Sequence, residues 1–347
     1  MEKVKVAVWG FGAMGRGIAE MLAEKEGVEI VGVCDISPEL KGKSVTNLLN
    51  NDEIAKESVV VTEDIDEVLQ SDADVLFIAT DSYTRKSFPK IKKGIVNGMN
   101  IISTAEEMAY PQANEPELSI DIDNLAKEHG VTVLGTGVNP GFVMDFLAIA
   151  MTGAMKNIDA IEVRRVNSLS PFGPTVMEEQ GVGISMDEFE EKIKNNDLAG
   201  HVGFKESVYM IADALGVDIE GFEQQMKPIV TSVDRKSRYG EAKKGHVAGI
   251  DMTAQGYVKG HKFIDMKHPQ QIEPEMEGTQ TGDYITIHGS PEINLSITPE
   301  IDGGIGTIAT CVNMMPHVIN SESGLKTMID LPVPRAILGD VRKLLKK

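Results

Sequence analysis

The sequence predicts an α/β protein of two domains: a doubly wound parallel sheet first, an open α+β sheet after it, and last helices that return to the first domain. Three observations carry this. A branched, alternating strand runs straight into G-x-G-x-x-G and a helix. Strand and helix patterns then alternate regularly as far as Leu134. Beyond residue 140 runs of strands replace that alternation, and 347 residues are too many for one ordinary core.

Val4-Lys5-Val6-Ala7-Val8-Trp9 reads as the buried strand, and Gly10-Phe11-Gly12-Ala13-Met14-Gly15 follows at once. Met14, Ile18, Met21 and Leu22 recur at three- and four-residue spacing, which predicts a helix over 13–25. In that context each glycine has a task. Gly10 allows the tight turn, Gly12 lets a pyrophosphate approach bare backbone, and Gly15 lets the helix pack closely on the sheet. The unpaired N–H groups at the helix start suit phosphates. A second strand over 28–34 ends in Asp35, whose carboxylate accepts the ribose hydroxyls of an NAD adenosine and repels the 2′-phosphate of NADP. Lys41 and Lys43, in the polar stretch over 36–58, soften that repulsion. NAD is therefore the expected cofactor, with NADP as a second.

A short strand over 59–61, a short helix over 64–70 and a fully buried parallel strand over 73–80 come next. The last ends in Asp81-Ser82, where parallel strand ends meet the cofactor. Ala79, Thr80 and Asp81 are expected there, with Gly10 to Gly15 and with Ser103 from the next strand end. Helix 84–97, strand 100–103, helix 117–129 and strand 131–134 complete a Rossmann domain over 1–140.

Gly135-Thr136-Gly137-Val138-Asn139-Pro140-Gly141 breaks the rhythm and opens a predicted helix over 142–155. A helix starting there offers an anion site, so Val138, Asn139, Pro140 and Gly141 are candidates to hold a substrate carboxylate. Arg164 and Asn167, at the end of an alternating strand over 158–166, are candidate additions, although Arg164 equally fits a structural ion pair. Helices over 187–195 and 204–215, then strands over 227–232, 245–258, 283–288 and 294–297, give an α+β domain over 141–302 for substrate and dimerisation. Its outer face is expected to pair with a second copy in a homodimer. An apolar helix over 303–318 and a basic one over 335–346 are expected to pack back on the first domain.

Composition narrows the class. A formal charge of −19 argues against nucleic acid or an anionic membrane as partner. Cys34 and Cys311 read as buried small hydrophobes, and nothing points to an oxidising compartment. The first strand begins too early for a signal peptide, and the most apolar run, 141–155, holds Asp145 and is too short for a bilayer. A cytoplasmic protein is the expectation.

The seven histidines have no metal-ligand spacing, so no metal is expected, and there is no G-x-S-x-G elbow. Hydride transfer to or from a nicotinamide remains. Together, the glycine loop, Ile102-Ser103-Thr104-Ala105-Glu106-Glu107-Met108 and Gly135-Thr136-Gly137-Val138-Asn139-Pro140-Gly141-Phe142 resemble the 2,4-diaminopentanoate dehydrogenases and related native amine dehydrogenases over nearly the whole chain. A more distant likeness is to the dihydrodipicolinate reductases, but their His-His-x-x-Lys cluster has no counterpart over 164–173. The closer resemblance implies NAD(P)-dependent oxidative deamination of 2,4-diaminopentanoate to 2-amino-4-oxopentanoate and ammonia. A carboxylate would then serve as base, Glu107 first and Glu106 as the alternative. Two other readings stand beside it: a reductase of a cyclic imine or aldehyde on the same fold, and a dimeric NAD sensor without turnover.

Overall fold

The computed structural model describes residues 2–49 and 59–346. Residues 50–58, the second part of the polar stretch after Asp35, lie outside the described residues. The chain divides into two compact units, Met1–Phe142 with Gly304–Lys347, and Val143–Gly303.

The first unit runs β1 (Val4–Trp9), α1 (Ala13–Ala23), β2 (Val28–Cys34), α2 (Val45–Leu49), β3 (Val61–Thr62), α3 (Ile65–Leu69), β4 (Val75–Ile78), α4 (Thr84–Val96), β5 (Asn100–Ser103), α5 (Pro116–Glu128) and β6 (Thr132–Gly135). After the second unit the chain returns with α10 (Gly303–Asn320) and β15 (Gly324–Lys326). The seven strands lie parallel in the order β15-β6-β5-β4-β1-β2-β3. The order reverses between β1 and β4, and in such sheets ligands bind outside the carboxyl ends of the strands at that point. One face of the sheet buries Leu76, Ile78, Ile101 and Val133 against Ile91 and Ile95 of α4 and Ile122 of α5. Each such side chain contributes about 1.5–3 kcal/mol.

The second unit runs α6 (Phe146–Thr152), β7 (Asn157–Ser168), α7 (Pro174–Glu179), α8 (Met186–Asn195), α9 (Phe204–Leu215), β8 (Gly221–Val230), β9 (Arg235–Lys236), β10 (Glu241–Ala242), β11 (Val247–Val258), β12 (His261–Gln271), β13 (Gly282–Ser290) and β14 (Ile293–Ile297). Its main sheet has the order β14-β13-β7-β12-β11-β8, parallel only between β12 and β7. Gly256 of β11 is bare where Val208 of α9 packs, since a Cβ there would lie 2.7 Å from that side chain. The opposite face carries exposed Glu162, Arg164, Lys227 and Lys267.

Three expectations change. The helix predicted from Phe142 starts at Phe146, because the Asp145 carboxylate accepts the Phe146 N–H and ends the glycine-rich loop there. The basic helix predicted over 335–346 is absent: Gly339 falls inside the segment, which keeps only one 3-10 turn, Val341–Leu344, capped by Asp340. β12 and β15 are strands that the pattern did not predict. Among the described residues no helix is long and apolar enough to cross a membrane.

Candidate active site

The loop after β1 is built for close approach. Gly10 has φ +94°, and a Cβ there would lie 2.5 Å from the Ala79 carbonyl oxygen. A Cβ on Gly15 would lie 1.7 Å from the Gly10 carbonyl oxygen, so only glycine lets α1 start so near the strand. At Gly12 a Cβ would meet nothing within 4 Å. That open side fits a pyrophosphate laid against bare backbone. No side chain caps α1 and its first turn holds no acidic residue, which leaves its electrostatics favourable to an anion. Ala13 and Met14 stand in this first turn. The residues thus fit a dinucleotide.

Asp35 stands at the end of β2 beside that loop. Its Oδ2 accepts the Phe11 N–H, at 2.5 Å, and its Oδ1 accepts the Ser37 N–H at 2.7 Å. Each carboxylate oxygen keeps a second lone pair for a ribose hydroxyl. At the end of β4 the Ala79 N–H donates to the Trp9 carbonyl. Thr80 Oγ1 donates to Asp81 Oδ2, which also receives the Lys90 ammonium. Partial burial would raise the Asp81 carboxyl, but the Lys90 and Thr80 hydrogen bonds prevail and hold it below its usual value.

At the end of β5, buried Ser103 Oγ accepts the Ala105 N–H. Glu106 and Glu107 begin a 3-10 turn, Glu106–Ala109. The Glu107 N–H donates to the Ser82 carbonyl, and its Oε2 accepts the Thr84 N–H at 2.8 Å. Glu107 is thus half-buried and fixed at the N-terminus of α4, where a helix favours a carboxylate. The turn packs against bare backbone, since a Cβ on Gly135 would lie 2.2 Å from the Met108 main chain.

The loop after β6 departs from expectation. Because the next helix starts only at Phe146, Val138, Asn139, Pro140 and Gly141 are not a helix N-terminus. The Val138 N–H goes to Thr307 Oγ1 of α10, and Gly141 takes φ +121°. The helix start expected to hold a carboxylate therefore does not form at these residues.

Charged and polar groups gather instead on the second unit's sheet. Arg165 is 2% exposed; its Nη1 donates to Asp283 Oδ1 and its Nη2 to the Ile301 carbonyl, each at 2.6 Å. Burial pushes the Asp283 carboxyl up, and Arg165 with the Ile301 N–H offsets only part of that rise. Asn167 Oδ1 lies 3.0 Å from His268 Nε2, the His201 ring stands edge-on 4.7 Å from the His268 ring, and buried Gln270 Nε2 has no partner. Burial holds the His201 imidazole down at about 3 and, with His201 and Arg165 nearby, holds that of His268 well below its usual value. Both rings are neutral at neutral pH. Arg164, by contrast, is exposed on the other face, 5.9 Å from the Tyr284 ring. Neighbouring strand residues point oppositely, so Arg164 and Asn167 do not serve one ligand; the arginine on the Asn167 face is Arg165. Arg165, His201, His268 and Gln270 are polar groups the sequence reading missed. The alternation of Ile264, Met266, His268 and Gln270 was the available signal.

Residues 142–347 match the model of the 2,4-diaminopentanoate dehydrogenase C-terminal domain. The chain belongs to the 2,4-diaminopentanoate dehydrogenase family. Residues 4–90 match the N-terminal domain model of dihydrodipicolinate reductase. A 2,4-diaminopentanoate dehydrogenase of Acetoanaerobium sticklandii is 56% identical, over 100% of this chain and 98% of that protein. An amine dehydrogenase of Streptomyces virginiae is 24% identical over 96% of this chain and 98% of its own. The solved amine dehydrogenase from Mycobacterium smegmatis has a TM-score of 0.86 at 26% identity, covering 97% of this chain and 98% of its own. The family is one of oxidoreductases on the fold described above.

Proposed function

We propose that this chain catalyses oxidative deamination of 2,4-diaminopentanoate: substrate, NAD(P) and water give 2-amino-4-oxopentanoate, ammonia and NAD(P)H. The observation that carries this reading is the full-length 56% identity with the A. sticklandii enzyme. It favours deamination over the imine reductase and the sensor.

The bound nicotinamide supplies the hydride acceptor. The chain's own residues handle binding and protons. Gly10, Gly12 and Gly15 cradle the pyrophosphate, with Phe11, Ala13 and Met14 around it; Asp35 takes the ribose diol, and Ala79, Thr80, Asp81 and Ser103 line the strand ends. The reacting ammonium must lose a proton before hydride can leave, and water must lose one as it attacks the resulting imine. Glu107 is the base for both, with Glu106 available to the second ammonium or as the alternative base. On the second unit, the Asn167, His268 and Gln270 row suits a substrate contact, since it includes an unpartnered amide donor. Both NAD and NADP are accepted, with NAD preferred.

The open face of the second unit's sheet pairs with another copy, forming a homodimer. The two buried free thiols, pushed up to about 11 at Cys34 and about 12 at Cys311, suit a reducing cytoplasm.

The test offers protein and NAD a panel of diamino acids, amino acids and simple amines and follows reduced nicotinamide by absorbance. Turnover should be highest with the diamino acid. Glu107→Gln should lower it about a hundredfold or more while the dinucleotide still binds. Near-normal turnover in both Glu106→Gln and Glu107→Gln refutes the mechanism and makes Asp81 the next carboxylate to replace.

A further inference from the structure

Four charged residues follow the carboxyl ends of β2 and β3: Asp35, Lys41, Lys43 and Glu63. Main-chain hydrogen bonds tie these segments together. The Asp35 N–H donates to the Thr62 carbonyl, the Gly42 N–H to the Val61 carbonyl, and the Val61 N–H to the Lys43 carbonyl, so Lys41 to Lys43 run alongside β3. Within this group the charges are unequally committed. Both Asp35 oxygens accept main-chain N–H groups, which makes this carboxylate a brace of the glycine loop. The Lys41 ammonium pairs with the Glu63 carboxylate across the turn, with 56% and 57% of the two side chains exposed. Asp64 caps α3.

We propose that the Lys41–Glu63 pair, rather than Asp35 alone, sets the choice between the two nicotinamide dinucleotides, with Glu63 acting as a brake on the phosphorylated one. The proposal rests on the dinucleotide reading of the glycine loop. A cofactor with a free 2′-hydroxyl leaves the pair intact. A 2′-phosphate, carrying a charge of about −1.5 to −2, draws Lys41 from Glu63, because an exposed ion pair is held by only a small free energy. Glu63 is then left unpaired beside a second anion. The cost is small enough to permit binding and large enough to disfavour it.

Calorimetric titration of the full-length protein with NAD and with NADP gives two Kd values and their ratio. Glu63→Gln should move the ratio toward NADP by about three- to tenfold, and Lys41→Gln should move it away by a similar factor. In the Lys41→Gln background, Glu63→Gln should have less effect than alone, since its gain comes partly from releasing Lys41. The NADP arm should also weaken more steeply with added salt than the NAD arm. A ratio within about twofold of the parent in both single variants overturns the proposal, as does a shift carried by Lys43→Gln instead of Lys41→Gln. Failure of the parent to bind either dinucleotide is a different result, and sinks the dinucleotide reading itself.

Discussion

Lowering the pH should unload stability through two particular imidazoles. Half-buried His201 and buried His268 stand edge-on in the second unit, and desolvation keeps both neutral, His201 down at about 3. In the unfolded chain each binds a proton near 6.5. A group whose folded value is depressed contributes its full stability above the unfolded value and loses it as pH falls toward the folded one. From about pH 7.5 to about 5.5 each histidine that protonates only when unfolded costs about 1.4 kcal/mol, and the pair costs about 3 kcal/mol. The assay is urea unfolding at both pH values on the parent, His201→Phe and His268→Gln. The baseline stability of each variant differs, but only the difference across the two pH values matters, and other titrating groups contribute equally to all three proteins. Each substitution should reduce that difference by about 1.4 kcal/mol. If parent and variants lose the same stability between the two pH values, the rings are not held neutral as described.

Gly15→Ala forces a Cβ against the Gly10 carbonyl and should cost about 3 kcal/mol or more, read as loss of folded protein on expression or a large fall in Tm. Gly12→Ala meets no such obstacle, so it should keep the fold and weaken NAD binding about tenfold or more by calorimetry. Arg165→Met strands the buried Asp283 carboxylate and should cost about 3–5 kcal/mol in denaturant unfolding, whereas adding Asp283→Leu should recover much of that loss.

The glycine loop is legible in the sequence because its physics is local: strand, turn and helix start lie within a few residues, and Gly10 and Gly15 answer to backbone atoms next to them in the fold. Asp35 is legible as a strand-end carboxylate, yet its two main-chain hydrogen bonds depend on loop geometry that spacing does not encode. β12 is hidden for another reason. Pro269 and the charged Lys262 and Lys267 argue against a strand, whereas the antiparallel register with β11 across the Lys259-Gly260 turn, with β7 on the other side, makes one of it. Because His268 rides on β12, the polar row around Arg165 was hidden with it. Arg164 and Arg165 differ by one residue, which in a strand exchanges the two faces, so only the register tells which of them shares the face of Asn167. The missing terminal helix has a plainer cause: basic residues favour a helix end, but Gly339 falls within the segment and Asp340 caps a separate turn there.

The first unit is assembled from both ends of the chain, with residues 143–303 between its parts. During synthesis, α10 and β15 leave the ribosome only after the whole second unit, so the glycine loop can be complete while its sheet still lacks an edge strand. Until β15 joins, β6 presents an unpaired row of N–H and C=O groups, a template for any other extended chain. The order of birth therefore favours a second unit that matures first and a nucleotide sheet that closes last. A chain cut after residue 303 would expose an adhesive edge as well as lack a helix.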